Sequence, residues 1–185
     1  MRRFILAMGF IAVVMSPVIV FCSPERLVES SDYKDKDFIK GCLSDYGDLV
    51  KGDDIEWVWV SPGMTLAGHK LSIAKIDNKT EELRNAQVDE IKSIFKEFFG
   101  KLKGDKETLS ADICIYEVQK YSAAKAWIPF AGFHQMQAGI GVELVIKNAG
   151  GKPVAKFRHF AREGARVEDA AQEVAEDLIK YISKH

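Results

Sequence analysis

After Met1-Arg2-Arg3 the chain runs from Phe4 to Phe21 without a charged residue, and no other feature constrains it more. A short basic start followed by an apolar run is the pattern of a Sec-type export signal. The segment is expected to stay outside the folded domain, and the remainder to work in the bacterial cell envelope, in the periplasm. The twin-arginine route fits less well. The pair sits at the extreme start, without the polar residue that usually precedes it.

Three endings of the leader compete. Lipidation of Cys22 requires Ile19-Val20-Phe21 to serve as the lipobox, with bulky Phe21 where a small residue is the rule. Ordinary cleavage after Cys22 or Ser23 leaves a small residue at the cut, and Pro24 disfavours the second position. The apolar run also exceeds a typical signal core of ~7–15 residues and approaches the ~17–25 that span a bilayer, so an uncleaved anchor is the third reading. Gly9 and Pro17 weigh against it. Residues 1–22 are therefore a signal peptide or N-terminal anchor, Cys22 is the candidate lipidation site, and any membrane contact is expected through that lipid or anchor.

The rest of the chain has ordinary globular composition, with 47% hydrophobic and 29% charged residues overall, enough to close a core without a metal or a disulfide. Removing residues 1–22, which hold two arginines and no acid, takes the formal net charge from -1 to -3. A weakly acidic domain with scattered Lys and Arg has no general attraction for nucleic acid. Cys42 and Cys114 remain as an even pair in an oxidising compartment, either bridged or as two separate buried thiols.

Residues 23–40 are polar and without a sustained period, as in a tether, which leaves 41–185 as a single domain. From Ile55 to Val60 the chain alternates, Trp57 and Trp59 on one face and Val58 and Val60 on the other, a first strand closed by Ser61-Pro62-Gly63. Leu71–Asp77, Ala111–Tyr121, Ala138–Lys147 and Val154–Glu163 read as four more, the last two joined by hairpin chemistry at Asn148–Pro153. Val88, Ile91, Phe95, Phe98, Phe99 and Leu102 recur at helical spacing within Asn85–Lys103. Val167, Ala171, Val174, Leu178 and Tyr181 mark a closing helix. A strand–helix–strand crossover, a hairpin and a last helix predict a two-layer α/β sandwich, a mixed sheet of about five strands with two helices on one face.

No constellation reaches the level of a catalytic site. Gly139-Ile140-Gly141 lacks the third glycine of a dinucleotide fingerprint and precedes a strand, so its glycines are expected to lie in a tight turn or under an aromatic ring. His69, His134 and His159 have no metal-ligand spacing. Asp45, Asp48, Asp53, Asp54 and Glu56 do not form a calcium loop and read as a solvated turn. Ser61, Ser72 and Ser110 lack any nucleophile signature. No metal, no cofactor and no enzymatic activity are expected.

The stretch Ala123–Phe133 is too apolar for an ordinary loop, and Pro129 and Gly132 suit neither a helix nor a central strand. If exposed, Trp127, Ile128, Phe130 and Phe133 form a patch that meets a partner or an apolar ligand. If covered, they form a lid over the sheet.

The run Leu43-Ser44-Asp45-Tyr46-Gly47-Asp48-Leu49, then Ser61-Pro62-Gly63 and the strand from Lys70, resembles the opening of uncharacterised bacterial envelope proteins. They are grouped as domains of unknown function, in the families numbered thirty-three thirteen and forty-four ten. Phe130-Ala131-Gly132-Phe133, Gly139–Leu144 and Gly150-Gly151-Lys152-Pro153-Val154 are similar to the second. The resemblance implies an exported, often lipid-anchored domain with no established activity, and supplies no catalytic residues. The expectation is an envelope protein that docks an unidentified envelope partner. A binding module for an apolar ligand comes second, and an enzyme third.

Overall fold

The computed structural model describes residues 24–28, 38–122 and 136–185. Six strands form one open sheet: β1 (Val50–Lys51), β2 (Trp57–Val60), β3 (Lys70–Asn78), β4 (Thr108–Gln119), β5 (Gly139–Lys147) and β6 (Pro153–Arg162). Their spatial order is β1-β2-β6-β5-β4-β3. β3 and β4 are parallel, joined by helix α1 (Asn85–Gly100), and every other neighbouring pair is antiparallel. Helix α2 (Val167–Lys184) closes the chain. This is the two-layer mixed α/β architecture that the periodicity predicts, with one strand more. β1 has two residues, too few to leave an alternation in the sequence.

Both helices cover one face. Ile91, Phe95, Phe98 and Phe99 of α1 and Ala171, Val174, Leu178 and Ile182 of α2 meet Ile113, Ile140, Leu144 and Phe157 of the sheet in one buried cluster. α1 stops at Gly100 rather than at Lys103, and Leu102 is buried in the following turn. Neither helix begins with a side-chain acceptor, because the residues at the starts are Arg84 and Arg166, whose guanidinium groups only donate. The third helical residue takes over: Gln87 Oε1 accepts from the Arg84 N–H at 3.4 Å and Asp169 Oδ2 from the Arg166 N–H at 3.2 Å.

The other face carries a strap. Leu43, Tyr46 and Leu49 are buried there with Val28, against Trp57, Trp59 and Val145. At both ends, the stretch read as a polar tether over residues 23–40 carries domain contacts instead. Arg26 forms a β-bridge with Val50, the Leu27 N–H donates to Leu49 O, the Lys51 N–H donates to Glu25 O, and Val28 is buried. Phe38 sets its ring edge-on to Tyr46, and Ile39 O accepts from Arg158. A polar composition conceals these contacts because most of them are made by the backbone. The boundary at residue 41 therefore falls inside the folded unit.

Candidate functional site

The site on the strapped face begins with two missing side chains. Gly139 and Gly141 alternate onto that face of β5, and a Cβ on them would stand 2.7 Å from Phe160 Cζ and 2.5 Å from Tyr116 Cζ. The two rings fill the trough that the glycines leave, as expected of glycines under aromatic rings. A register shift between Ile115 and Glu117 pairs Glu117 with Gly141 and leaves Tyr116 as the extra residue, its ring on that glycine, and bulges commonly re-aim a side chain in this way.

Arg158, on β6, lies over this floor. Its guanidinium carbon is 3.7 Å from the Tyr116 ring centre and 4.9 Å from that of Phe38. Nη1 donates to Glu143 Oε1 at 2.5 Å and Nη2 to Ile39 O at 2.7 Å. Glu143 Oε2 accepts the backbone N–H groups of Cys42 at 2.6 Å and Leu43 at 3.0 Å. Its carboxylate fills the space where Gly41 would otherwise carry a side chain. Only 1% of the Glu143 side chain and 8% of the Arg158 side chain reach solvent. Such a pair tolerates burial because each charge is matched by the other and by backbone groups, Ile39 O for Arg158 and the Cys42 and Leu43 N–H groups for Glu143.

Three further fastenings hold the strap. Cys42 and Cys114 are joined by a disulfide with their Cα atoms 6.0 Å apart. Lys156 pairs with Asp48 at 2.6 Å and lies 5.1 Å over the Trp59 ring. Tyr46 Oη accepts the Gly41 N–H at 2.9 Å. Burial, then the charge of Glu143, pushes the Tyr46 phenol up to about 12. Burial also raises the Tyr116 phenol well above its ordinary value.

Beside the strap lies an open groove of about 380 Å³, walled by Phe38, Ile39, Trp57, Tyr116 and Phe160, with Glu56 and Arg162 among its polar residues. Arg162 stacks on Phe160 at 4.6 Å and donates to Gln119 Oε1 at 3.1 Å. Arg158 is already matched by Glu143, and the groove sets its aromatic rings among the charged side chains of Glu56, Glu117 and Arg162. A second depression of about 760 Å³ opens where the two helices begin, between Arg84, Arg166, Lys120 and Glu168. Burial opposes ionisation of Glu168, but its own backbone N–H, Gln87 at 3.2 Å and Arg166 at 3.4 Å outweigh it and hold the carboxyl below its usual range. Glu168 thus already supplies the negative charge that helix starts favour.

The remaining candidates from the sequence are dispersed. His69 Nδ1 is 2.9 Å from Glu107 O. His159 is held between the Glu56 N–H and Asp177, with Nε2 3.0 Å from Asp177 Oδ2. Among the described residues no group of three or more His, Cys, Asp or Glu could hold a metal ion. Ser72 Oγ donates to Leu109 O at 3.4 Å. The acidic stretch is more than a solvated turn: Asp48 pairs with Lys156, Asp54 with Lys180 and Lys184, and Glu56 accepts the Phe160 N–H. Cys22, Trp127, Ile128, Phe130, Phe133 and His134 lie outside the described residues. The Glu143–Arg158 pair escapes the sequence because both residues occupy positions that alternation assigns to a solvated face.

No family model matches the chain, and no curated protein matches it. Among solved structures it is similar to two of the PelC dodecamer from Paraburkholderia phytofirmans. One, a leucine-to-methionine variant, is 12% identical over 68% of this chain and 94% of that chain, with a TM-score of 0.47. The other is 12% identical over 65% and 93%, with a TM-score of 0.44.

Proposed function

We propose that the chain is an exported cell-envelope protein whose α/β domain docks an envelope partner without catalysing a reaction. The observation that carries the export half is the Cys42–Cys114 bridge in a chain that opens with a basic start and a charge-free leader. Bridges of this kind persist in oxidising compartments and are rare in the cytosol. Among the described residues no helix is long and apolar enough to cross a membrane. The leader therefore carries the membrane question, by lipid at Cys22, by an uncleaved anchor, or by cleavage to a free periplasmic form.

The docking half rests on the aromatic groove beside the strap and on the apolar residues Trp127, Ile128, Phe130 and Phe133 of the β4–β5 connection. Those residues are the proposed contact. A second reading is an apolar ligand, to which the rings of Phe38, Trp57, Tyr116 and Phe160 would offer contacts among the groove's charged residues.

Fractionation followed by intact-mass analysis tests the proposal. The expected product is an envelope protein two hydrogens lighter than its dithiol, with either a shortened leader, a diacylglyceryl mass on Cys22, or the whole leader retained in the membrane fraction. A full-length chain with free thiols in the cytoplasm would overturn it. For docking, Trp127→Ser, Ile128→Ser and Phe130→Ser together are expected to abolish co-purification with an envelope protein while leaving the melting temperature unchanged. An early melt with nothing lost from the purified material rejects both functional readings.

A further inference from the structure

The strap and the N-terminal segment together determine how the domain would sit when anchored. The chain is fastened to the sheet from Glu25 onward, through Glu25 O to the Lys51 N–H at 3.0 Å and the Leu27 N–H to Leu49 O at 3.0 Å. Only Ser23 and Pro24 separate Cys22 from that point. Three Cα steps of extended chain reach about 10 Å at most. A lipid on Cys22, or a retained leader, therefore has no slack with which to hold the domain away from the bilayer.

Register then says which end of the domain is held. One row across the sheet runs Arg26–Val50–Val58–Phe157–Leu144–Ile113–Ile76. Relative to it, Pro24 comes in from the side of Glu56, Phe160–Arg162, Gly139 and Glu117–Gln119. The opposite side carries the polar turn at Asn148–Gly151, which joins β5 to β6. Among the described residues the exposed large hydrophobics are Ile39, 43% exposed, and Tyr121, 47% exposed. Both lie on the side where the chain enters. Ile39 O is bonded to Arg158 beside the groove, and Tyr121 lies two residues beyond the end of β4. An aliphatic side chain and a tyrosine left open to solvent suit the headgroup level of a bilayer, and the exposed charges around them are mixed, Arg26, Lys51 and Lys120 beside Glu25, Glu56 and Glu163.

We infer that in the membrane-anchored form this end of the sheet lies directly against the lipid surface, with Ile39 and Tyr121 at headgroup depth and the Asn148–Gly151 turn pointing away. The inference rests on the anchored version of the proposed function, and because the groove opens at this same end it makes a partner docked there a membrane-bound one.

The test uses the full chain purified from membranes and placed in phosphatidylcholine–phosphatidylglycerol vesicles. A fluorophore is attached through Lys51→Cys in one sample and Asn148→Cys in another, without reductant so that the native disulfide stays closed. Lipids brominated near the headgroup are expected to quench the probe at position 51 several-fold more than the probe at position 148. Equal quenching, or more at position 148, on a chain whose mass shows the anchor in place would overturn the orientation while leaving the export proposal standing. Recovery of the chain as a cleaved, freely soluble protein would remove the anchored form itself, and this inference with it.

Discussion

The ring of Tyr116 lies on Gly141, so closely that a Cβ there would stand 2.5 Å from Cζ. A methyl group at position 141 must displace the ring, and with it the stack beneath Arg158. Gly141→Ala is expected to cost ~1–3 kcal/mol, the usual penalty for overpacking. Gly100→Ala, on a helix with nothing within 4 Å of the added carbon, should be neutral or stabilising by a few tenths of a kcal/mol. Urea melts of the two variants decide it. Equal small effects would mean the ring moves freely.

Arg158 and Glu143 make a second case for coupled residues. Removing one partner leaves a buried charge, so Arg158→Met should cost ~3–5 kcal/mol. Adding Glu143→Gln should restore part of that loss, because the amide removes the unpaired buried charge while its carbonyl oxygen can still accept the Cys42 and Leu43 N–H groups. A double-mutant cycle by chemical denaturation reads the coupling directly. Additive effects would show that the pair is solvated in solution.

The helical half of the fold was legible in the sequence because its faces obey a period. Ile91, Phe95, Phe98 and Phe99 recur at helical spacing and are all buried. The strapped face was not legible, for a physical reason. A two-residue strand has no period, and the contacts of Arg26, Leu27, Cys42 and Leu43 are made by backbone N–H and C=O groups, which every sequence possesses. Alternation placed Glu143 and Arg158 on the face away from the helices but carried no sign that a strap covers it. The even pair of Cys42 and Cys114 was the signal the sequence carried for the strap, whereas the need for a glycine at position 41 depends on a carboxylate about a hundred residues away.

Phe95 is fully buried in the helix-side core, whereas Lys92 is exposed on the same helix. Phe95→Ala should cost ~3–5 kcal/mol, and Lys92→Ala should stay within about 0.5 kcal/mol. Denaturant midpoints measure both. Similar values would place the aromatic stripe outside the core.

The Cys42–Cys114 bridge closes a sequence separation of 72 residues. On the chain-entropy account, a loop of that length contributes about 4 kcal/mol by restricting the unfolded chain. Replacing both cysteines by serine should lower the melting temperature. Reductant should bring the wild type down to the same value and leave the variant where it is. A wild type indifferent to reductant would show that the strap is held by its hydrogen bonds and ion pairs alone.

Tyr46 makes stability depend on alkaline pH. Burial, followed by the charge of Glu143 and a hydrogen bond to it, raises the phenol to about 12, against the lowering effect of the Gly41 N–H and Arg158. In the unfolded chain a tyrosine ionises near pH ~10. Between these values the folded state keeps a proton that the unfolded state has released, so stability falls as pH rises. The contribution is whole below pH ~10 and is lost as pH climbs toward the folded value. Tyr46→Phe removes the titrating oxygen. It should lose about 1 kcal/mol near neutrality, where the Gly41 N–H is left without its acceptor, and decline less steeply above pH ~10. Tyr116 and Tyr181 are also raised by burial, so some slope will remain. Urea midpoints taken at intervals from neutral pH into the alkaline range, alongside the phenolate absorbance of the folded protein, measure both quantities. Parallel declines for wild type and variant would remove Tyr46 from the account and place the alkaline loss on the other two phenols.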